Sequence, residues 1–278
     1  MSTPAHLSPE PAGGGATAGL AADRPRRRAR HAASPDDASS RGAADGPPRG
    51  DADEPVMVLE GVSKDYQQGG ETVHALLPTD LTLHAGELVG VLGPSGSGKS
   101  TLLTIMGGLR TPSTGTVRVG DETVSELPEK RRARIRHERI GFVLQAAGLV
   151  PFLRLADQFA LHDKVAGRAG DPDRRDHLVS ELGITERLRA YPEEMSGGER
   201  QRAAIAVALY HDPAIILADE PTAALDSHRA QDVARLLAEQ THELGKATVM
   251  VTHDERLLPV CDRVLVMDDG RLREADAR

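Results

Sequence analysis

Tryptophan and asparagine are both missing from this chain of 278 residues, and Cys261 is its single cysteine. Aromatic residues amount to 2%, three Phe and three Tyr. Stacking platforms for single-stranded nucleic acid are therefore not available in number. The formal net charge of −8 points the same way, so no nucleic-acid partner is expected. One cysteine excludes an intrachain disulfide and any cysteine-rich metal site, and Cys261 reads as a small buried apolar residue. Without asparagine there is no Asn-Lys-x-Asp element, which a GTPase uses to recognise its base. No stretch has the length and apolarity of a membrane-spanning helix, so a membrane role requires a partner.

What is present falls into two parts. Residues 1–54 are rich in Ala, Gly, Pro, Ser, Asp and Arg and nearly free of large apolar side chains. Such a segment cannot bury enough surface to offset its ordering entropy, and a disordered tail is expected. Its run Arg24-Pro-Arg-Arg-Arg-Ala-Arg30 lacks the apolar stretch that follows the arginines of an export signal. It reads as a solvated charge run, with attraction to anionic lipid as the alternative.

From residue 55 to 278 the pattern is that of one domain. Apolar β-rich runs at Val56–Glu60, Leu81–Leu83, Glu87–Leu92, Thr116–Val119, Ile140–Leu144, Ile215–Ala218 and Thr248–Thr252 are interleaved with helical stretches. The helical stretches are Ser100–Met106, the basic Pro128–Arg139, Ala203–Tyr210 and Ser227–Leu244, the last with Val233, Leu236, Leu237 and Leu244 on one face. Alternation of this kind predicts an α/β fold with a mostly parallel sheet covered on both sides. Residues 146–195 read as mostly helical and lie between two α/β halves, which suggests an inserted helical subdomain.

The residues from Gly93 to Thr101, Gly-Pro-Ser-Gly-Ser-Gly-Lys-Ser-Thr, match the phosphate-binding P-loop G-x-x-x-x-G-K-[ST]. Gly93, Gly96 and Gly98 let the backbone turn tightly, so that the amides of Pro94-flanking residues Ser95, Ser97 and their neighbours can face phosphate oxygens. Lys99 suits the β- and γ-phosphates, and the Ser100 hydroxyl suits Mg²⁺. The flanking run Glu87–Leu92 and the helix after it supply the strand and the helix N-terminus that this chemistry needs.

Three further motifs follow in chain order. An apolar strand ends in Asp219-Glu220, where open α/β sheets place their ligands. Asp219 suits Mg²⁺, and Glu220 suits polarisation of a water attacking the γ-phosphate. Taken alone, the pair is as consistent with an acidic turn after a buried strand. Ser196-Gly-Gly-Glu-Arg-Gln-Arg202 opens a helix. Ser196 and Glu199 make a capping box, but Gly197 and Gly198 cost helix stability and are better explained by a phosphate approaching bare amides. His253, in Val251-Thr-His-Asp254, stands just past a strand, where a γ-phosphate contact is favoured over a structural role. Gln145 ends another strand and suits Mg²⁺ or the attacking water, and Tyr66 suits stacking on adenine.

Together these motifs, over about residues 56–274, resemble the ATP-binding-cassette ATPases. The resemblance makes Gly93–Thr101 the Walker A loop, Gln145 the Q-loop glutamine, Ser196-Gly-Gly-Glu-Arg the signature and Ile215–Glu220 the Walker B strand. Ala224-Leu-Asp226 takes the D-loop place, His253 that of the switch histidine, and Tyr66 that of the A-loop aromatic. Met195 and Glu199 stand where the family usually has Leu and Gln, and Val207 where many members have Arg. Within the family, Leu217–Asp226, Val251–Leu258 and Gln145–Leu153 are similar to the lipoprotein-releasing, macrolide-export and heterocyst-glycolipid-export subunits. The resemblance implies a P-loop NTPase core with an antiparallel β-subdomain, and ATP and Mg²⁺ as cofactors. It implies ATP bound between the P-loop of one protomer and Ser196-Gly197-Gly198 of a second. It further implies an integral membrane permease as partner, with the chain at the cytoplasmic face of the membrane. A soluble cassette ATPase without a transport role is the alternative.

Overall fold

The computed structural model describes residues 54–144, 148–223 and 225–275. The tail expectation therefore falls outside the described residues save for Glu54, as do Gln145 and Ala224.

Two sheets organise the fold. The first is antiparallel, in the order β2-β1-β4-β5, from β1 (Pro55–Gln68), β2 (Glu71–His84), β4 (Thr114–Val119) and β5 (Glu122–Thr123). The second has six strands in the order β10-β9-β3-β8-β7-β6. Its members are β3 (Leu88–Leu92), β6 (Ile140–Val143), β7 (Ile215–Asp219), β8 (Ala247–Val251), β9 (Arg263–Asp268) and β10 (Arg271–Glu274). Every pairing in it is parallel except that of β9 with β10.

Strands β3, β7 and β8 are apolar on both faces because both faces are covered. Side chains alternate between two cores, as the period of two requires. Val89, Val91, Ile215, Leu217, Val249 and Val251 join the core shared with the antiparallel sheet and α1 (Lys99–Met106). Leu88, Ile216, Ala218 and Met250 join the other core. That second core is closed by α3 (Leu155–Ala166), α4 (Pro172–Glu181), α5 (Gly197–Leu209) and α6 (Ser227–Leu244).

The strands extend beyond the apolar runs that announce them: β1 and β2 each have 14 residues, much of them polar and exposed at the far end. On α6 the expected face is only partly used. Val233 and Leu237 are buried, but Leu244 is 52% exposed, because it closes the last turn just before Gly245 ends the helix with φ +61°. The charge run on α2 (Glu129–Arg139) is a paired surface: Arg131 meets Glu122 at 2.7 Å and Arg134 meets Glu138 at 2.7 Å. Cys261 is half-buried, with its thiol pushed up to about 12 by burial first and by Asp262 second. It fills the space left by Gly90 on β3, where an added Cβ would come 2.9 Å from Sγ.

Candidate nucleotide site

The sheet order places β3, β8 and β7 side by side, so the loops leaving their C-terminal ends meet. Those loops carry the P-loop, His253 and Asp219-Glu220.

The P-loop conformation depends on glycine at a position where no other residue fits. Gly98 caps α1 with φ +109°, and a Cβ there would lie 2.4 Å from the backbone oxygen of Ala75 on β2. Gly93 is held as closely, its hypothetical Cβ 2.2 Å from the oxygen of Met267 on β9. Lys99 is buried, and its Nζ donates to the carbonyls of Gly93 and Pro94, each at 2.8 Å. An ammonium has three donors, so one is left for a ligand. The Ser97 hydroxyl is buried with no hydrogen-bond partner in the protein. A polar atom orphaned inside a P-loop fits a phosphate ligand.

Ser100 Oγ donates to Asp219 Oδ2 at 3.1 Å. This joins the first turn of α1 to the end of β7 and brings two hard oxygen donors together. Burial raises the pKa of Asp219 above the usual carboxylate range, with the adjacent Glu220 adding to the shift and Ser100 opposing it. A divalent cation there would favour the ionised form. Among the described residues no group of three or more His, Cys, Asp or Glu is arranged to hold a metal by itself. Mg²⁺ is commonly held by one or two protein oxygens plus substrate phosphates, and Ser100 Oγ with Asp219 supplies two such oxygens.

Glu220 adopts φ +49°, uncommon for a side chain of its size, and is locked there by its amide, which donates to Val251 O at 2.9 Å. Its carboxylate is largely covered, and both oxygens lie 2.9 Å from His253 Nδ1. The imidazole is 71% exposed on the other side of that contact. The structure thus pairs a carboxylate with a histidine beside the phosphate loop.

Ser95, Gly96, Gly98, Lys99, Ser100 and Thr101 line a cleft of about 390 Å³ together with Ala75, Asp219, Glu220 and His253. A larger groove of about 1160 Å³ shares only His253 with it and runs past Leu258 and Pro259 to Arg273 and Glu274. The smaller cleft is the one with phosphate-binding chemistry.

Ser196, Gly197 and Gly198 do not line the cleft of their own chain. They start α5. Ser196 Oγ accepts from the Glu199 amide at 3.3 Å, and Glu199 Oε2 accepts from the Ser196 amide at 2.8 Å, so the capping box is formed. The second Glu199 oxygen takes Arg187 Nε at 2.9 Å. The Ser196 amide first, then Arg187, hold the Glu199 carboxyl down to about 2. An added Cβ on Gly198 would meet nothing nearer than 3.5 Å. Packing within the chain therefore does not require glycine there. Tyr66, on β1, is also absent from the cleft wall, and its ring carries Lys64 Nζ and the Arg110 guanidinium carbon, each 5.5 Å from the centroid.

Sequence reasoning missed the supports of the P-loop. The Ala75 and Met267 carbonyls wall it, and the Gly270 amide in the β9–β10 turn donates to Ser97 O at 2.9 Å. These are backbone groups brought in by tertiary pairing, and no residue pattern signals them.

The family model described as "ABC transporter" matches residues 76–223. The lipoprotein-releasing system ATP-binding protein LolD of Pseudomonas syringae pv. tomato is 41% identical over 227 residues, covering 81% of this chain and 100% of LolD. The macrolide export ATP-binding/permease protein MacB 1 of Yersinia pestis bv. Antiqua is 41% identical over 220 residues, 78% of this chain but 34% of MacB. A solved dimeric structure of MJ0796, described as a bacterial ABC transporter cassette, superposes with a TM-score of 0.73 at 34% identity, covering 80% of this chain and 100% of that one.

Proposed function

This chain belongs to the ABC transporter family of ATP-hydrolysing cassettes, and from that membership we propose that it powers a separate membrane permease, exporting the cargo, as one of two identical cassettes. It is the ATP-binding subunit of an exporter-type transporter, like the lipoprotein-releasing system ATP-binding protein LolD and the macrolide export ATP-binding/permease protein MacB. No finding favours the soluble cassette ATPase that the sequence left open.

The observation that carries the mechanism is the convergence of Ser100–Asp219 and Glu220–His253 in one cleft. In this reading Lys99 and the loop amides hold the β- and γ-phosphates. Ser100 and Asp219 would hold Mg²⁺, which supplies charge neutralisation at the phosphates. Gln145, outside the described residues, completes that set. Glu220 takes the proton of the attacking water, and His253 orients the Glu220 carboxylate and meets the γ-phosphate. Ser196, Gly197 and Gly198 face the nucleotide of the second protomer, which accounts for a glycine that its own chain does not require. Tyr66 receives the adenine.

The permease surface is supported by exposed apolar side chains in and around α3: Phe152 is 78% exposed, Val165 67% and Leu161 39%. Among the described residues no helix is long and apolar enough to cross a membrane, so attachment at the cytoplasmic face would run through that permease. The test of the chemistry is Glu220→Gln. Steady-state ATPase should fall at least ~10²-fold while Mg-ATP binding persists. Near-normal turnover would remove Glu220 from its role.

A further inference from the structure

Arg110 is exposed, and its guanidinium carbon lies 5.5 Å from the centroid of the Tyr66 ring. Its place is set by backbone rather than by a wandering side chain. The Arg110 amide donates to Thr104 O on α1 at 3.0 Å. The loop beyond it is stitched to the strand that carries Tyr66. Ser113 N donates to Ser63 O at 2.7 Å, Asp65 N to Ser113 Oγ at 3.0 Å, and Lys64 Nζ to Thr111 O at 2.9 Å.

One short segment thus links the P-loop to Tyr66. It begins with Lys99 and Ser100 at the phosphate end. It runs through the 8 residues of α1, about 12 Å at the helical rise, and ends with Arg110 on the Tyr66 ring.

A guanidinium is planar, carries five donors and stacks on aromatic faces. Beside Tyr66 it does two things. It fixes the ring, with Lys64 as a second cation at the same distance. Its N–H groups can donate to the ring-nitrogen acceptors of a flat base held on that ring. We propose that Arg110 is a base-positioning residue of the nucleotide site, acting with Tyr66 to hold the purine. The proposal rests on the reading of Tyr66 as the base platform.

The experiment compares the wild-type chain with Arg110→Ala, Arg110→Lys and Tyr66→Ala. It measures ATPase kinetics and the competition constant of tripolyphosphate, which has no base. Loss of one exposed cation–π contact and its hydrogen bond to the base should raise KM for ATP about 3–10-fold. The expected result is that rise in Arg110→Ala with kcat within about twofold, tripolyphosphate inhibition unchanged, and partial recovery in Arg110→Lys. An unchanged KM in Arg110→Ala, with a raised KM in Tyr66→Ala, would overturn the role of Arg110 and leave the platform standing. An unchanged KM in both would remove the platform itself. Equal weakening of ATP and tripolyphosphate would overturn base positioning in favour of a general charge effect. Thermal melting of each variant reports folding separately.

Discussion

Acidification should destabilise this fold through three histidines outside the nucleotide site. His137 on α2, His162 on α3 and His211 between α5 and β7 pack ring to ring, with centroids 4.3, 4.7 and 5.9 Å apart. His137 and His211 are parallel within 2°, and His162 stacks on both. Each ring has one buried nitrogen without a partner, and the remaining His211 nitrogen faces Ile140 O at 3.2 Å. Burial first, then the neighbouring rings and Arg168, press His211 down to about 3 and His162 down to about 4; Asp163, beside His162, opposes only weakly. Burial and Arg168 lower His137 against Glu138.

The sign follows from proton counting. The unfolded chain has ordinary histidines near 6.5, so between that value and about 3 it binds protons that the folded His211 refuses. Stability is whole above pH 6.5 and falls as the pH drops through that window. At 1.36 kcal/mol per unit, His211 alone costs about 2 kcal/mol by pH 5. His162 adds in the same direction, discounted because solvent screens it more. For a domain of this size about 2 kcal/mol corresponds to roughly 4–8 °C in Tm. Thermal melts from pH 7.5 to 5 should show that decline, and in His211→Asn, which cannot take up the proton, the decline should shrink by about that amount. Carboxylates contribute equally to both proteins and cancel in the difference. Identical pH slopes in the two proteins would refute the reasoning.

Lys99→Ala should weaken ATP binding by about 1.5–3 kcal/mol, since it removes a charge-assisted contact; an unchanged affinity by calorimetric titration would contradict the P-loop assignment. Gly98→Ala should abolish nucleotide binding more completely than Gly96→Ala, because its Cβ would strike Ala75 O at 2.4 Å whereas Gly96 has open space, although both have positive φ. Equal binding losses in the two variants would show that the β2 wall is not what demands glycine. Gly198→Asp tests the dimer. It should bind ATP at its own P-loop yet, in the Glu220→Gln background, fail to form the ATP-dependent dimer on size exclusion, because a carboxylate would face the partner's phosphates. A dimer that persists would place Gly198 away from the nucleotide.

The sequence alone was enough for the α/β class, the P-loop, the acidic pair and the capping box at Ser196, because each rests on local physics. Glycine spacing, a strand that ends in carboxylates and an S-x-x-E helix start are properties of a few adjacent residues. The apolar runs located β3, β7 and β8 because a strand buried on both faces must be apolar throughout. Strands β9 and β10 escaped notice, with Arg263, Arg271 and Arg273 masking the apolar pattern on a half-exposed edge. What only the tertiary structure decided is which groups meet. Strand order set β3, β8 and β7 side by side, and so brought Ser100 onto Asp219 and His253 onto Glu220 across 119 and 33 residues of chain. Likewise it brought the Ala75 and Met267 carbonyls against the P-loop glycines, and Arg110 onto Tyr66. Such contacts depend on how sheets and helices pack over long separations. A one-dimensional pattern records the side chains that bind but not the backbone and neighbours that hold them in place.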